Sequence, residues 1–112
     1  MISEIKEKLR ELDTNVQTGI ARKVGDSWNC LVIRKNSLRR DKNALGFTKN
    51  ISVRIVREDE IEEGLEEKVI EKMKEIGFRQ ATDSAEYEYT IDSNEIVIEI
   101  CSIQFYKAVK GC

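Results

Sequence analysis

The chain has 112 residues, a size at which one domain can bury its own hydrophobic core, so we expect a single domain over residues 1–112. Hydrophobic residues make up 40% and charged residues 36%, and 19 Lys plus Arg against 21 Asp plus Glu leave a net charge of -2. This balance excludes a disordered polyelectrolyte and argues against a dedicated DNA-binding domain, which usually has a marked basic excess.

The first half of the chain predicts one helix followed by extended segments. An apolar stripe with spacings of three and four predicts a short N-terminal helix, through Ile2, Ile5, Leu9 and Leu12. Two extended runs then flank the turn-type cluster VGDS (24–27). The run WNCLVI (28–33) is apolar on both faces, as in a strand covered on both sides, and NISVRIVRE (50–58) alternates like a half-buried strand.

A second helix is predicted from Ile61 to Ile76, because apolar residues recur there at helical spacing between acidic and basic ones. Asp59 and Glu62 resemble a capping pair at its start, although Gly64 weakens the first turn. Gly77 supplies a residue that closes many helices in the left-handed conformation, and Phe78 can fold back onto the last turn.

Two strands complete the chain, EYEYTI (86–91) and the long run EIVIEICSIQFYKAV (95–109). In the long run the apolar residues change parity, since Ile98 and Ile100 are even-numbered whereas Ile103 and Phe105 are odd-numbered. One straight strand cannot place both sets in one core. Either a bulge near Cys101 rephases the strand, or its outer half leaves this sheet and packs elsewhere, for instance on a neighbouring subunit.

Together these segments predict an α+β fold. It would consist of an N-terminal helix, an antiparallel three-strand meander, a central amphipathic helix packed on the sheet, and a C-terminal β-hairpin.

Signals of catalysis or cofactor binding are missing. The chain has no His, its six Gly form no phosphate-binding loop, and its three Cys form no C-x-x-C pair. We therefore expect no enzyme activity, no cofactor and no metal site. Cys30 and Cys101 fall in apolar runs and are predicted core residues, whereas Cys112 is predicted to be an exposed thiol. No run is long enough to span a bilayer, and a reducing cytoplasmic place of synthesis fits best.

Two segments of opposite charge are the strongest functional signal. Residues 34–42 hold five cations and one anion, and residues 58–67 hold seven anions and no cation. The candidate site residues are the basic Arg34, Lys35, Arg39, Arg40 and Lys42 and the acidic Glu60, Glu62, Glu63, Glu66 and Glu67. Such opposed patches suit a head-to-tail contact between copies, which can close into a ring. Two alternatives remain, a pair of solvated surfaces and unspecific binding of nucleic acid by the cations.

The order of elements resembles the small tail-terminator (tail completion) proteins of long-tailed bacteriophages and phage-like particles. The resemblance rests on the opening helix, on the strand, basic loop and strand of WNCLVIRKNSLRRDKNALGFTKNISVRIVRE, on the helix IEEGLEEKVIEKMKEIGF, and on the final strand EIVIEICSIQFYKAV. It implies a structural protein that forms a hexameric ring on the tail tube, stops its polymerisation and presents a surface to the head connector.

The same resemblance implies partners and a location. The partners would be further copies of the chain, the tail tube protein and the connector or other neck proteins, with possible unspecific contact between the basic loop and passing DNA and with no membrane. The protein would be assembled in the bacterial host cytoplasm and would reside in the neck of the virion. Another neck ring, such as a head-closure or adaptor protein, and a small nucleic-acid-binding regulator remain alternatives.

Overall fold

The computed structural model describes residues 2–40 and 46–110, which form a six-stranded mixed sheet and two α-helices. The elements are α1 (Ile2–Leu9), β1 (Val16–Thr18), β2 (Cys30–Arg40), β3 (Gly46–Glu58), α2 (Leu65–Glu75), β4 (Arg79–Gln80), β5 (Glu86–Ile91) and β6 (Val97–Lys110). The molecule is elongated, with extents of 51 × 24 × 23 Å. Lys42 and Cys112 lie outside the described residues.

The strand order contradicts the predicted architecture. The sheet runs β1-β2-β3-β6-β4, and β5 also pairs with β6. β1 is parallel to β2, and all other pairs are antiparallel. The predicted α+β fold, with a three-strand antiparallel meander and a central helix packed on it, is therefore wrong: about half of the structure is strand, and the sheet is mixed and six-stranded. α1 lies against β1 and β2, and α2 lies against α1 and β4.

The segment between β1 and β2 explains why no meander forms. The chain leaves the sheet at Gly19, whose φ of +87° is a left-handed conformation that glycine adopts without strain. The amide side chain of Gln17 then holds the loop by donating to the carbonyl of Arg22 and accepting from its N–H. The predicted turn at 24–27 is present, with reciprocal backbone hydrogen bonds between Val24 and Ser27. Residues 19–23 and 28–29, on either side of that turn, belong to no strand, and the chain returns so that β1 pairs with β2 in parallel.

The main core lies between the helices and one face of the sheet, which we call the helix face. Side chains of both helices are buried in it, as the apolar stripes predict, together with side chains of β2, β3 and β6. Its members include Ile5, Leu9, Leu31, Ile33, Ile51, Val53, Ile55, Leu65, Val69, Met73, Phe78, Cys101, Ile103 and Phe105. The core therefore fixes the helices over the inner part of the sheet, and the far end of β2, from Arg34 onward, is exposed.

The second helix begins later than predicted and ends where predicted. Gly64 is its N-cap residue, with φ +87° and no side-chain cap, so the predicted cap by Asp59 is wrong. At the other end Gly77 has φ +91°, and the N–H of buried Phe78 donates to the carbonyl of Met73 at 2.9 Å. This confirms the predicted glycine stop with an aromatic residue folded onto the last turn.

β6 is continuous, and its two parities lie on opposite faces of the sheet. Its pairing with β3 runs without a register shift from Glu58–Ile98 to Gly46–Lys110, so the predicted bulge near Cys101 is wrong, and the outer half stays in the sheet. The irregularity is in β2 instead, between Lys35 and Ser37. The buried odd-numbered apolar residues of β6 lie in the main core, and the buried even-numbered ones lie in a second apolar cluster on the opposite face. One straight strand can therefore bury both sets.

The cluster on the opposite face is small and is covered by the loop before β2. Its buried members are Cys30, Val32, Val56 and Ile98. Trp28 packs against them and donates from Nε1 to Oδ2 of Asp92 at 3.0 Å. Cys30 and Cys101 are both buried free thiols, which confirms their prediction as core residues.

Candidate functional site

The outer ends of three strands form a sheet extension whose β2 strand is exposed, and we call it the basic arm. It consists of residues 34–40 of β2, 46–50 of β3 and 106–110 of β6. The register pairs Ser37–Arg40 with Asn50–Phe47, and these in turn with Tyr106–Val109. All seven β2 residues of the arm are exposed.

Most of the predicted basic residues lie on this arm. Arg34, Lys35, Arg39 and Arg40 are exposed, and within residues 2–40 and 46–110 no carboxylate forms an ion pair with any of them. Arg40 lies over the ring of Phe47, with 5.7 Å between its guanidinium carbon and the ring centroid. The structure therefore gathers these four cations on one exposed strand rather than in a loop.

A polar contact at the base of the arm holds the irregularity of β2. The Nδ2 of Asn36 donates to Oε1 of Gln104 at 2.6 Å, and its Oδ1 accepts from Oγ of Ser52 at 3.4 Å. These bonds join all three strands of the arm across one face. Asn36 was not among the predicted site residues, because the extra residue of the irregularity is recognisable only once the strand register is known.

A groove lies on the helix face of the arm, between the start of α1 and the strands. Its volume is about 670 Å³, and its lining includes Ile2, Lys35, Leu38, Lys49 and Ile51. Leu38 is 63% exposed. An exposed leucine between cations on an open strand is a surface that a partner strand or side chain could cover.

The predicted acidic residues are divided between different environments. Glu60, Glu63 and Glu67 are exposed, whereas Oε1 of Glu62 accepts from Nε of Arg57 at 2.8 Å. Hydrogen bonding from its own backbone amide, and then the Arg57 guanidinium, lower the pKa of the Glu62 carboxyl. Glu66 accepts a hydrogen bond from the hydroxyl of Tyr87. Glu62 and Glu66 therefore have internal partners.

Arg57 is a buried charge that the sequence analysis did not single out. It is 8% exposed, and its NH1 lies 2.9 Å from Oδ2 of Asp13 and 3.0 Å from the carbonyl of Val56. These contacts tie β3 to the segment after α1 and to the residues before α2. Its role is structural, and it gives the otherwise exposed Glu62 carboxylate a partner on β3.

A second exposed strand lies on the other side of the sheet, and we call it the acidic edge. It is β5, EYEYTI, every residue of which is exposed. Tyr87 and Tyr89 donate their hydroxyls to Glu66 and Glu99, and these hydrogen bonds are the main cause of the raised pKa of both phenols. The outward-facing edge of β5 has no partner strand among the described residues.

The acidic edge is a predicted strand whose residues were not among the predicted site residues. The available signal was the alternation of Glu86 and Glu88 with Tyr87 and Tyr89. This pattern places acids on one face and aromatic rings on the other.

Comparison with known proteins gives no match: neither a protein-family model nor a curated protein matches this sequence. In the part of the chain that the structure describes, no helix is long and apolar enough to cross a membrane. No group of His, Cys, Asp or Glu side chains able to hold a metal ion occurs among those same residues.

Proposed function

We propose that this chain is a structural protein of a bacteriophage or phage-tail-like particle. In this proposal it forms a ring at the head-proximal end of the tail tube, ends tube polymerisation and joins the head connector. The observation that carries the proposal is the basic arm, a three-stranded extension whose exposed β2 strand has four cations without a carboxylate partner among residues 2–40 and 46–110. The resemblance of the helix, hairpin, helix and final strand to tail-terminator proteins is the reason for proposing a phage or phage-tail-like particle as the assembly.

The arm has the properties of a contact between subunits. A strand with a free edge leaves every second N–H and C=O without a protein partner, and another strand can satisfy them. Its cations have no carboxylate partners within residues 2–40 and 46–110, so a surface with negative charge is favoured as the partner. Because the acidic edge lies on the other side of the sheet, identical copies can join head to tail, and such a contact forms a ring when the rotation closes.

The proposal is tested by reversing the charge of the arm. In the Arg39→Glu/Arg40→Glu variant we expect loss of self-association in sedimentation velocity and, in particles produced with this variant alone, tails of uncontrolled length or tails without heads in electron micrographs. The matched control is Lys68→Glu/Lys74→Glu, which changes the net charge equally on exposed positions of α2. That control should assemble like the wild type.

Two results would contradict the proposal. Normal tail length and normal head joining with the doubly reversed arm would show that the arm is not an assembly element. A monomer at all concentrations, with no effect of gene deletion on particles and with steeply salt-dependent binding to DNA, would favour a nucleic-acid-binding protein instead.

A further inference from the structure

Two strand edges of opposite charge remain open on opposite sides of one sheet. On one side β1 covers β2 only from Leu31 to Ile33, so from Arg34 onward no strand of residues 2–40 or 46–110 pairs with this edge of β2. On the other side β5 covers β6 and has no strand beyond it among the described residues. The first edge has the sequence RKNSLRR and the second EYEYTI.

We infer that the outer part of β2 in one copy pairs antiparallel with β5 of a second copy. This inference rests on the proposed ring and names the contact that would build it. The paired residues are Ser37 with Thr90, Leu38 with Tyr89, Arg39 with Glu88 and Arg40 with Tyr87.

The direction of the backbone groups restricts the register. The N–H of Leu31 and the carbonyl of Ile33 form hydrogen bonds on the β1 side. Before the bulge, the backbone N–H and C=O groups of odd-numbered β2 residues therefore point toward this outer edge, and we call such residues outward-pointing. The additional residue reverses this parity, and Leu38 and Arg40 therefore point outward beyond it. The carbonyl of Gln104 bonds to Ala81, which shows that even-numbered residues of β6 point toward β4 and β5. Outward-pointing residues of the two edges must face each other.

In β5 the even-numbered residues are opposite even-numbered residues of β6, so their N–H and C=O groups are used in that pairing. The backbone groups of Tyr87, Tyr89 and Ile91 therefore point toward the open edge of β5. Allowed registers therefore differ by steps of two residues. Placing Leu38 opposite Tyr89 uses the whole edge from the bulge to Arg40. It stops short of Ile33, whose carbonyl already bonds to Gly19.

Side-chain chemistry fits this register on both faces. On the helix face, Leu38 and Tyr89, which are 63% and 64% exposed, would cover each other. Arg40 would lie beside the ring of Tyr87 on that face. On the opposite face the guanidinium of Arg39 meets the carboxylate of Glu88, with Glu86 diagonally adjacent.

Charge also determines which edges can meet. Two copies of the β2 edge would bring cations against cations, and two copies of the β5 edge would bring Glu86 and Glu88 against their equivalents. Like charges directly opposite each other destabilise a strand pair. Only the pairing of β2 with β5 is attractive, so the contact is head to tail and each copy keeps one open edge of each kind for further copies.

The pairing requires neighbouring copies to be offset along their strands. Arg39 is level with Ala108 of β6, whereas Glu88 is level with Ile100, an offset of eight residues or about 26 Å. The offset places the β5–β6 turn of one copy beside the chain that follows β1 in the other. Stagger of this kind is what closure of a sheet into a barrel requires.

The test uses cysteines on separate chains, both in a Cys112→Ser background. Ser37→Cys is placed on one tagged chain and Thr90→Cys on another. Ser37 and Thr90 would be a non-hydrogen-bonded pair with Cα atoms about 4.5 Å apart, within reach of a disulfide. Within one chain β2 and β5 are separated by two strands, or about 14 Å, so any disulfide joins two copies.

On mild oxidation of the mixture we expect a heterodimer as the main product, at least tenfold more abundant than either homodimer. The control pairs Ser37→Cys with Ser93→Cys, an exposed position three residues beyond Thr90 that should cross-link poorly in this register. It keeps Glu88, so the contact with Arg39 is unchanged. In addition, Arg39→Glu and Glu88→Arg alone should weaken association by about tenfold or more, and the two changes in one chain should restore it.

Each outcome bears on a different claim. Rings that form without the heterodimer, or with efficient cross-linking only in the Ser93→Cys control, would overturn this pairing and leave the proposed function standing. A homodimer of the Ser37→Cys chain as main product would show that equal edges meet. If the wild type forms no assembly and its deletion does not affect particles, the proposed function fails together with the pairing.

Discussion

The buried guanidinium of Arg57 allows a quantitative prediction about stability. In Arg57→Met the aliphatic stem is kept, and the ionic contacts are lost. The pair with Asp13, whose side chain is 14% exposed, is a charge-assisted hydrogen bond with a contribution of about 1.5–3 kcal/mol. The pair with Glu62, whose side chain is 61% exposed, contributes about 0–1 kcal/mol, and the carbonyl of Val56 loses a donor for about 1 kcal/mol. We expect a total loss of about 3 kcal/mol.

Urea unfolding followed by the fluorescence of Trp28, the one tryptophan of the chain, measures this loss. A change of this size corresponds to a fall in melting temperature of about 10–25 °C for a domain of this length. Glu62→Gln should cost less than about 1 kcal/mol, since water replaces that partner, and Asp13→Asn should lie between the two. The reasoning is refuted if Arg57→Met unfolds within about 0.5 kcal/mol of the wild type, or if Glu62→Gln is equally costly.

Three further predictions concern local features. Gly77→Ala should destabilise the fold by about 1–2 kcal/mol, because φ is +91° and the added Cβ would lie 3.1 Å from Cε of Lys107. Gly25→Ala, at φ +61° with open space around the added Cβ, is the control for backbone strain alone. Equal losses of unfolding free energy in urea would show that the contact with Lys107 has no effect. Hydrogen bonds from Ile96, Trp28 and Asn94 lower the pKa of Asp92, so the stability that this carboxylate contributes is present above the unfolded pKa of about 4 and is lost as pH falls through the lower folded pKa. Asp92→Asn should therefore flatten the fall of unfolding free energy at acid pH, and an unchanged pH dependence would contradict the assignment. Burial raises the pKa of Cys30 and Cys101 to about 11. In a Cys112→Ser background neither thiol should therefore react with iodoacetamide at pH 8 until the chain unfolds. Rapid labelling of the folded protein would contradict the burial of these thiols.

Features set by neighbouring residues could be predicted from the sequence. The end of α2 follows from a glycine after an amphipathic stripe, and the structure places Gly77 in the left-handed region with Phe78 buried. The strands around the basic segment follow from alternation and β-branched residues. Such signals act within a few residues of each other, so no knowledge of distant partners is required.

Pairing between distant segments could not be predicted in the same way. The parallel contact of β1 with β2 depends on a loop closed by Gln17, and nothing in a three-residue strand indicates its partner. For β6, the change of parity predicted a bulge or an outer half that leaves the sheet, whereas the strand is continuous and has apolar clusters on both faces. Parity alone does not show that a second apolar cluster covers the other face.

Arg57 is a different case, because a signal was present. It shares the parity of Val53 and Ile55, so the alternation of β3 places it on the helix face, where a charge requires partners.

The structure favours β5, rather than the acids of residues 58–67, as the inferred acidic partner of the basic arm. A contact between the basic strand and the acids of residues 58–67 would join charges and leave the backbone of both open edges unpaired. Pairing with β5 satisfies charge and backbone together, and it still involves one predicted acid. The hydroxyl of Tyr87 bonds to Glu66, so a neighbour's Arg40 beside that tyrosine would lie close to the Glu66 carboxylate. A strand edge defines both direction and register, whereas a charged helix surface defines neither, and a ring of identical copies requires both.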